Sequence, residues 1–284
     1  MFKFVLTARP AIPVLGLVVP ALAGLLVAGC SVGPFGNVNI LSTEDEVKLG
    51  QQTAAQVDQQ LHFIGGDAAA YVNDIGQLLV RHSERSDIPY TFKLVNSAEV
   101  NAFSLPGGFV YVNRAILEQA SNESEVAGVI GHEIGHVVGR HAAKQFSRQY
   151  GLSVILGIAL GQDPSALEQI AANVLAQGTL LRYGREAEFE ADQYGIHETY
   201  DSGIDPHGMS TFLHKLLSLE QTQPSSVSAI FATHPPTSDR IDRVDATIAG
   251  LARRSLSEDS DRFHRVKSAL QSMAPPPDAQ AARK

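Results

Sequence analysis

Apolar positions along this 284-residue chain keep two different periods, and the switches between them predict its elements. Thr43-x-x-Glu46 has the form of a capping box, and the pattern after it predicts a helix to about Leu61. A second helical pattern runs from about Asp67 to Arg85, and Pro89 ends it. Tyr90–Val95 alternates and predicts a strand. Asn101–Asn113 predicts strand, turn and strand around Pro106-Gly107-Gly108. Ser121 or Asn122 then caps a long helix expected to reach about Phe146. Gly151–Gly161 is apolar but too short to span a bilayer. Further helices are expected at 165–177, 181–199, 207–221 and 238–252, with a long loop before the last. Loops of that length inside a domain are often functional. After Arg254 the chain turns polar, and the terminal APPPDAQAARK reads as disordered. The count predicts an α+β domain, mostly helical, with one small sheet.

The first thirty residues stand apart from this pattern. Lys3 and Arg9 precede an apolar run from Ala11 to Ala28, broken by Pro13 and Pro20, which ends in Val27-Ala28-Gly29-Cys30. A basic start, an apolar middle and small residues at the end predict a secretory signal over 1–29. VAGC resembles the bacterial lipobox, which implies cleavage before Cys30 and lipid on that residue. Cys30 is the sole cysteine, so it forms no internal disulfide. Residues 30–42 then read as a lipidated tether, 43–254 as the folded domain and 255–284 as a tail. Loss of the signal removes Lys3 and Arg9 and leaves the chain more acidic than its overall charge of −8. That charge, with no basic block, argues against a nucleic-acid partner. The resemblance to lipoproteins, with Ser31 rather than Asp after the cysteine, implies the periplasmic face of a bacterial envelope, with sorting to the outer membrane.

The chemistry concentrates in GHEIGHVVGRHAAK, Gly131–Lys144. His132 and His136 lie about 40° apart on one face of a helix. Two imidazoles one turn apart can share one Zn²⁺. Glu133 is about 100° around the helix, beside the metal without ligating it. His-Glu-x-x-His on a helix is the signature of zinc metalloproteases, with the glutamate as general base. The flanks, VAGVI and IGHVVG, mark a buried helix, and Gly128, Gly131, Gly135 and Gly139 predict very close packing against it.

Catalytic zinc takes a third protein ligand. His141 is one residue too early for the pattern His-Glu-x-x-His-x-x-Gly-x-x-His. On a continuous helix it points about 140° away from His136, so it reads as a surface residue or a support behind the ligands. Tyr183–Gly195 offers Glu186, Glu188 and Glu190 instead. Glu188, Asp192 and Gly195 share a stripe, and spacing favours Glu188 only modestly. Asp192 on that stripe suits a hydrogen bond to the free ring nitrogen of a ligating histidine.

GHEIGHVVGRH followed some fifty residues later by REAEFEADQYG resembles the M48 (Ste24/HtpX-like) zinc metallopeptidases, nearest their periplasmic lipoprotein branch. NAFSLPGGFVYVNRAIL and THPPTSDRI resemble further family segments, so that the likeness covers roughly residues 43–250. It implies a zincin-like (gluzincin) metalloprotease domain with one Zn²⁺ per chain, held by His132, His136 and Glu188. The implied activity is endopeptidase cleavage of misfolded or unassembled proteins, in quality control of the envelope. Outer-membrane assembly factors are possible partners. A peptide-binding, chaperone-like lipoprotein with a latent protease site is the competing reading.

Two expectations concern the surroundings of the metal. Gly108, Phe109, Val110 and Tyr111 belong to the strand before the motif, whose exposed edge would bind an extended substrate as one more strand. His234 is expected in the active site: Pro235 and Pro236 stiffen its loop. It would act either as a stabiliser of the transition state or as a latch on the open metal position. Arg240, on the following helix, would pair with a carboxylate near the site.

Overall fold

A computed structural model describes residues 41–177 and 182–281. The signal segment, the Cys30 lipidation site and residues 31–40 of the tether lie outside the described residues. Helix α1 spans Thr43–Asp58 and starts one residue earlier than the capping-box pattern implies. Ser42 is the cap: its hydroxyl accepts from Asp45 N–H at 3.0 Å and donates to Asp45 Oδ2 at 2.7 Å. Glu46 is thereby released for the interior, where it pairs with Arg85 at 3.2 Å and Arg140 at 2.5 Å. Helix α2 spans Gly66–Val80. Strands β1 (Thr91–Val95), β2 (Ala102–Leu105) and β3 (Phe109–Asn113) follow.

The three strands form one sheet in the order β1-β3-β2, with β3 parallel to β1 and antiparallel to β2. This corrects the expectation of a substrate edge at Gly108–Tyr111. The hairpin after β1 carries the chain outward along β2 and returns β3 into the middle, so both edges of β3 are already paired. Thr91 N–H even donates to Gly108 O. Strands β1 and β2 are the edges, and His62–Ile64 already bond to the outer side of β1. Asn113 N–H donates to Asn101 O, and the antiparallel alternation then turns the backbone groups of Ala102 and Ser104 away from β3.

Helix α3 (Arg114–Gln119) leads into α4 (Glu123–Val138), capped by Asn122, whose side chain accepts from Glu125 N–H. The long helix expected to reach Phe146 is in fact two. Gly139 closes α4, Arg140 takes a left-handed φ of 55°, and α5 (His141–Tyr150) departs in a new direction. Helices α6 (Leu152–Ala159) and α7 (Pro164–Gln177) pack beside α1. Helix α8 (Arg185–Asp201) lies along α4, and α9 (His207–Thr222) packs on α4 as well. The glycines explain the α4–α8 approach. A Cβ on Gly135 would stand 2.3 Å from Ala191 O, and one on Gly195 2.7 Å from Gly131 C.

The loop before residue 238 contains a short helix, α10 (Ser228–Thr233), and α11 (Ser238–Ala249) follows. The stretch after Arg254, expected to be a polar tail, contributes α12 (Asp261–Ser272) and the short α13 (Pro277–Ala281). Phe263, Val266 and Leu270 of α12 are buried in the main core, and buried Arg114 donates to Leu270 O at 2.6 Å and Ala274 O at 2.9 Å. Three apolar residues at a spacing of three to four are enough to seat this otherwise polar helix. No helix of the described residues is long and apolar enough to cross a membrane.

Candidate metal centre

Close contact between α4 and α8 fixes which way each helix faces. His132 and His136 point from α4 toward Glu188 on α8, and all three are buried. Their Nε2 atoms stand 2.9 Å apart, and each lies 3.5 Å from a Glu188 oxygen. His234 joins them from the C-terminal end of α10. Its Nδ1 lies 3.1 Å from Glu188 Oε1 and 3.3 Å from His132 Nε2. These four residues each offer one ligand atom within 4.8 Å of the others. Glu186 is exposed, and Glu190 turns toward His141. The rotation of α8 thus brings Glu188, alone of the three glutamates, into the cluster.

The hydrogen bonds behind the cluster aim the imidazole lone pairs inward. His132 Nδ1–H donates to Asp192 Oδ1 at 2.8 Å, leaving the Nε2 lone pair toward the centre. His136 is oriented by a longer relay. His141 Nε2–H donates to Glu190 Oε2 at 3.2 Å, so His141 Nδ1 accepts from His136 Nδ1–H at 2.8 Å. The break at Arg140 makes this possible, because it swings His141 back over the end of α4. A Cβ on Gly139 would stand 2.4 Å from the His141 ring. His141 is therefore a support for His136, and its 140° offset on an unbroken helix does not apply.

Arg240 ties the acidic side together. It is buried, binds both oxygens of Asp192 at 2.6 and 2.7 Å, and reaches Glu188 Oε2 at 2.8 Å. The bidentate geometry suits a guanidinium and not an ammonium. Burial alone would raise the Glu188 pKa, but His234 and Arg240 outweigh it and hold the carboxyl well below its usual value. Asp192 is lowered in the same sense, against burial, by Arg240 and His132. Burial and the neighbouring His132 push His136 well below the ordinary histidine value. His234 is raised despite its burial, because Glu188 and Glu133 face it.

The Nε2 atoms of His132 and His136 thus face one another across 2.9 Å, with an ionised carboxylate alongside. Such a donor set fits a Zn²⁺ ion, which takes nitrogen and carboxylate ligands together. Glu133 is beside the cluster. Its Oε2 is buried and without a hydrogen-bond partner, and Oε1 lies 3.7 Å from His234 Nε2, which also lacks one. A narrow cleft lined by His132, Glu133, His234, Phe212, Leu213 and Leu216 opens in front of them.

One residue of this site escaped the sequence reading. Tyr183 stacks on His136 with ring centroids 4.0 Å apart. Its hydroxyl is buried without a partner. Burial, then Glu133 and Glu188, raise its pKa well above the ordinary tyrosine value, so it stays a donor. An aromatic residue five positions before Glu188, ahead of the helix, carried no periodic signal.

Comparison with known proteins agrees with this geometry. Residues 67–248 match Peptidase family M48. The chain is 32% identical over 240 residues to the beta-barrel assembly-enhancing protease of Escherichia coli (strain K12), covering 80% of this chain and 48% of that protein. It is 30% identical over 203 residues to the mitochondrial metalloendopeptidase OMA1 of Schizosaccharomyces pombe, covering 71% of this chain and 59% of that protein. It is 26% identical over 221 residues to the metalloprotease YcaL of Escherichia coli (strain K12), covering 74% and 82%. The chain thus spans about half the length of the first of these relatives.

Proposed function

The chain belongs to peptidase family M48, and from that premise we propose that it is a zinc-dependent endopeptidase tethered to the bacterial envelope. The observation that carries the reading is the convergence of His132, His136 and Glu188 beside a buried, unpartnered Glu133 oxygen. His132, His136 and Glu188 hold one zinc ion. When bound, the metal supplies a Lewis acid that polarises a peptide carbonyl and acidifies water. Glu133 takes the proton from the attacking water and delivers it to the leaving amine. Tyr183 donates its hydroxyl proton toward the oxygen on which charge develops. Arg240 and Asp192 fix His132, and Glu190 and His141 fix His136.

An extended substrate segment would pair with the outward backbone groups of Ala102 and Ser104 on β2, which are covered in this form and must be uncovered first. This replaces the β3 edge and keeps the same recognition: main-chain hydrogen bonds that any unfolded segment can make. The name of the Escherichia coli relative supports substrates drawn from misfolded or unassembled outer-membrane proteins. Outer-membrane assembly factors are partners in the same reading. The N-terminal pattern supports export, lipid on Cys30 and an outer-membrane location. Cys30→Ala should then abolish lipid labelling and change membrane association; a variant still cleaved after residue 29 and still firmly membrane-bound would overturn the anchoring.

His234 lies within contact of Glu188 and His132, which favours a latch over a distant stabiliser. From there His234 could join His132, His136 and Glu188 as a further holder of the metal, which would keep the protease latent until substrate displaces it. The deciding experiment compares three proteins on a denatured outer-membrane protein, with zinc content measured in parallel. Glu133→Gln should keep zinc and lose roughly 10²–10⁴-fold in cleavage. His234→Ala should keep zinc and cleave faster than wild type. Near-normal turnover in Glu133→Gln would sink the protease mechanism, and slower cleavage in His234→Ala would make His234 a transition-state group.

A further inference from the structure

A second cleft lies along α8 and shares no lining residue with the one in front of Glu133. Its volume is about 740 Å³. Glu190, Tyr194, Glu198 and Asp201 recur at intervals of four, four and three along α8, which sets them on one face. His82 and Glu84, in the turn after α2, supply part of the opposite wall. We propose that this cleft is a docking site for an arginine side chain presented by a partner protein.

Glu198 carries the argument. It is only 2% exposed, and neither carboxylate oxygen has a hydrogen bond of good geometry; the Ser83 hydroxyl is the one donor near it. A buried carboxyl left unpartnered costs free energy unless something completes it. The same Ser83 hydroxyl lies near the buried Tyr90 hydroxyl, so one donor is shared between two buried groups. At the rim, Glu84 and Asp201 are exposed and make no ion pair among the described residues. No Lys or Arg lines the cleft. Burial, reinforced by Glu84, raises the Glu198 pKa well above the carboxylate range, as expected of a carboxyl that lacks its counter-ion.

The shape of the missing group follows from these acceptors. Two oxygens of Glu198, with the carboxylates of Glu84 and Asp201 at the rim, call for several donors on one cation. A guanidinium presents five N–H groups in a plane, whereas an ammonium is a point charge. The half-buried Tyr194 ring offers a face for the same plane. A metal ion fits poorly. Among the described residues, ligand atoms close enough to share an ion occur in the His132 cluster and not here, and the cleft far exceeds the size of an ion.

The test is a titration followed by NMR, using the mature protein and two probes: acetyl-Gly-Gly-Arg-Gly-Gly-amide and its citrulline counterpart, which has the same shape without the charge. The arginine peptide should move the amides around Ser83 and Glu198 and bind at least about ten-fold more tightly than the citrulline peptide. Glu198→Gln should reduce its affinity to the citrulline level. Asp201→Asn, on the exposed rim, should weaken it several-fold without altering the fold. Glu168→Gln, which removes an equal charge from exposed α7, should change nothing. Equal binding of the two peptides, unchanged binding in Glu198→Gln, or shifts scattered over the acidic surface would overturn the proposal and leave Glu198 a buried acid solvated by water. None of these readouts depends on cleavage or on zinc.

Discussion

Gly135 and Ala191 are in backbone contact: a Cβ on the glycine would stand 2.3 Å from the carbonyl oxygen of the alanine. The contact lies one residue from His136 on α4 and three from Glu188 on α8, so the separation of the two helices also sets the separation of these two side chains. Gly135→Ala should force the helices apart at a cost of about 1–3 kcal/mol. Zinc affinity should fall with it, although no ligand is removed. Calorimetric unfolding and zinc titration of the variant check this, and unchanged values for both would mean the helices can separate freely.

Arg240 neutralises two buried carboxylates at once. Arg240→Met removes the guanidinium and leaves Asp192 and Glu188 without their cation, so destabilisation of about 3–5 kcal/mol is expected. Arg240→Lys should rescue only part of this, because an ammonium cannot bind both Asp192 oxygens and Glu188 in the same plane. Denaturant unfolding of both variants measures the difference; a full rescue by lysine would show that charge alone matters.

Tyr183→Phe keeps the ring that stacks on His136 and removes only the hydroxyl. Zinc content and KM should be preserved while kcat falls roughly 10²-fold, the usual cost of one lost donor to a developing oxyanion. A loss of zinc or a rise in KM with kcat intact would assign Tyr183 a packing role.

Glu198 makes stability depend on pH with a definite sign. Its folded-state pKa is raised, by burial first and then by Glu84, so the folded protein holds this proton more firmly than the unfolded chain does. The contribution is complete below the unfolded value of about 4.5 and is lost as pH rises through the folded value. The groups around it are Ser83, Glu84, Tyr90, Tyr194, His82 and His197. Glu198→Gln removes the titration, so the gain in Tm over wild type should grow between pH 5 and pH 8. A constant difference across that range would show that Glu198 titrates normally.

Much of this protein follows from sequence alone, and the reasons are local. A helix places residues four apart on one face whatever surrounds it, so His132 and His136 were a metal pair before any fold was known. Glu133, one residue on, read as a base beside that pair for an equally local reason. Helices α7, α8, α9 and α11 and the small sheet were legible from their length and bounds, whereas the short α10 inside the expected loop was not. The Pro-stiffened loop pointed to His234, and the spacing of Asp192 from Glu188 pointed to a support behind the ligands.

What depended on rotation or on pairing with distant segments was settled only by the tertiary structure. Spacing left Glu186, Glu188 and Glu190 nearly equivalent, and the contacts of Gly131 with Gly195 and of Gly135 with Ala191 fixed the turn of α8 that selects Glu188. Spacing left His141 either a surface residue or a support behind the ligands; a single left-handed residue, Arg140, resets the helix phase and turns it onto His136, and no periodic pattern records one reversed φ. Strand order is equally invisible: alternation shows that Phe109–Val112 is a strand but not that β1 and β2 cover both its edges. Tyr183 and Glu198 stand out for hydroxyl and carboxylate atoms that have no partner in the interior, and a partner missing in space leaves no mark along the chain.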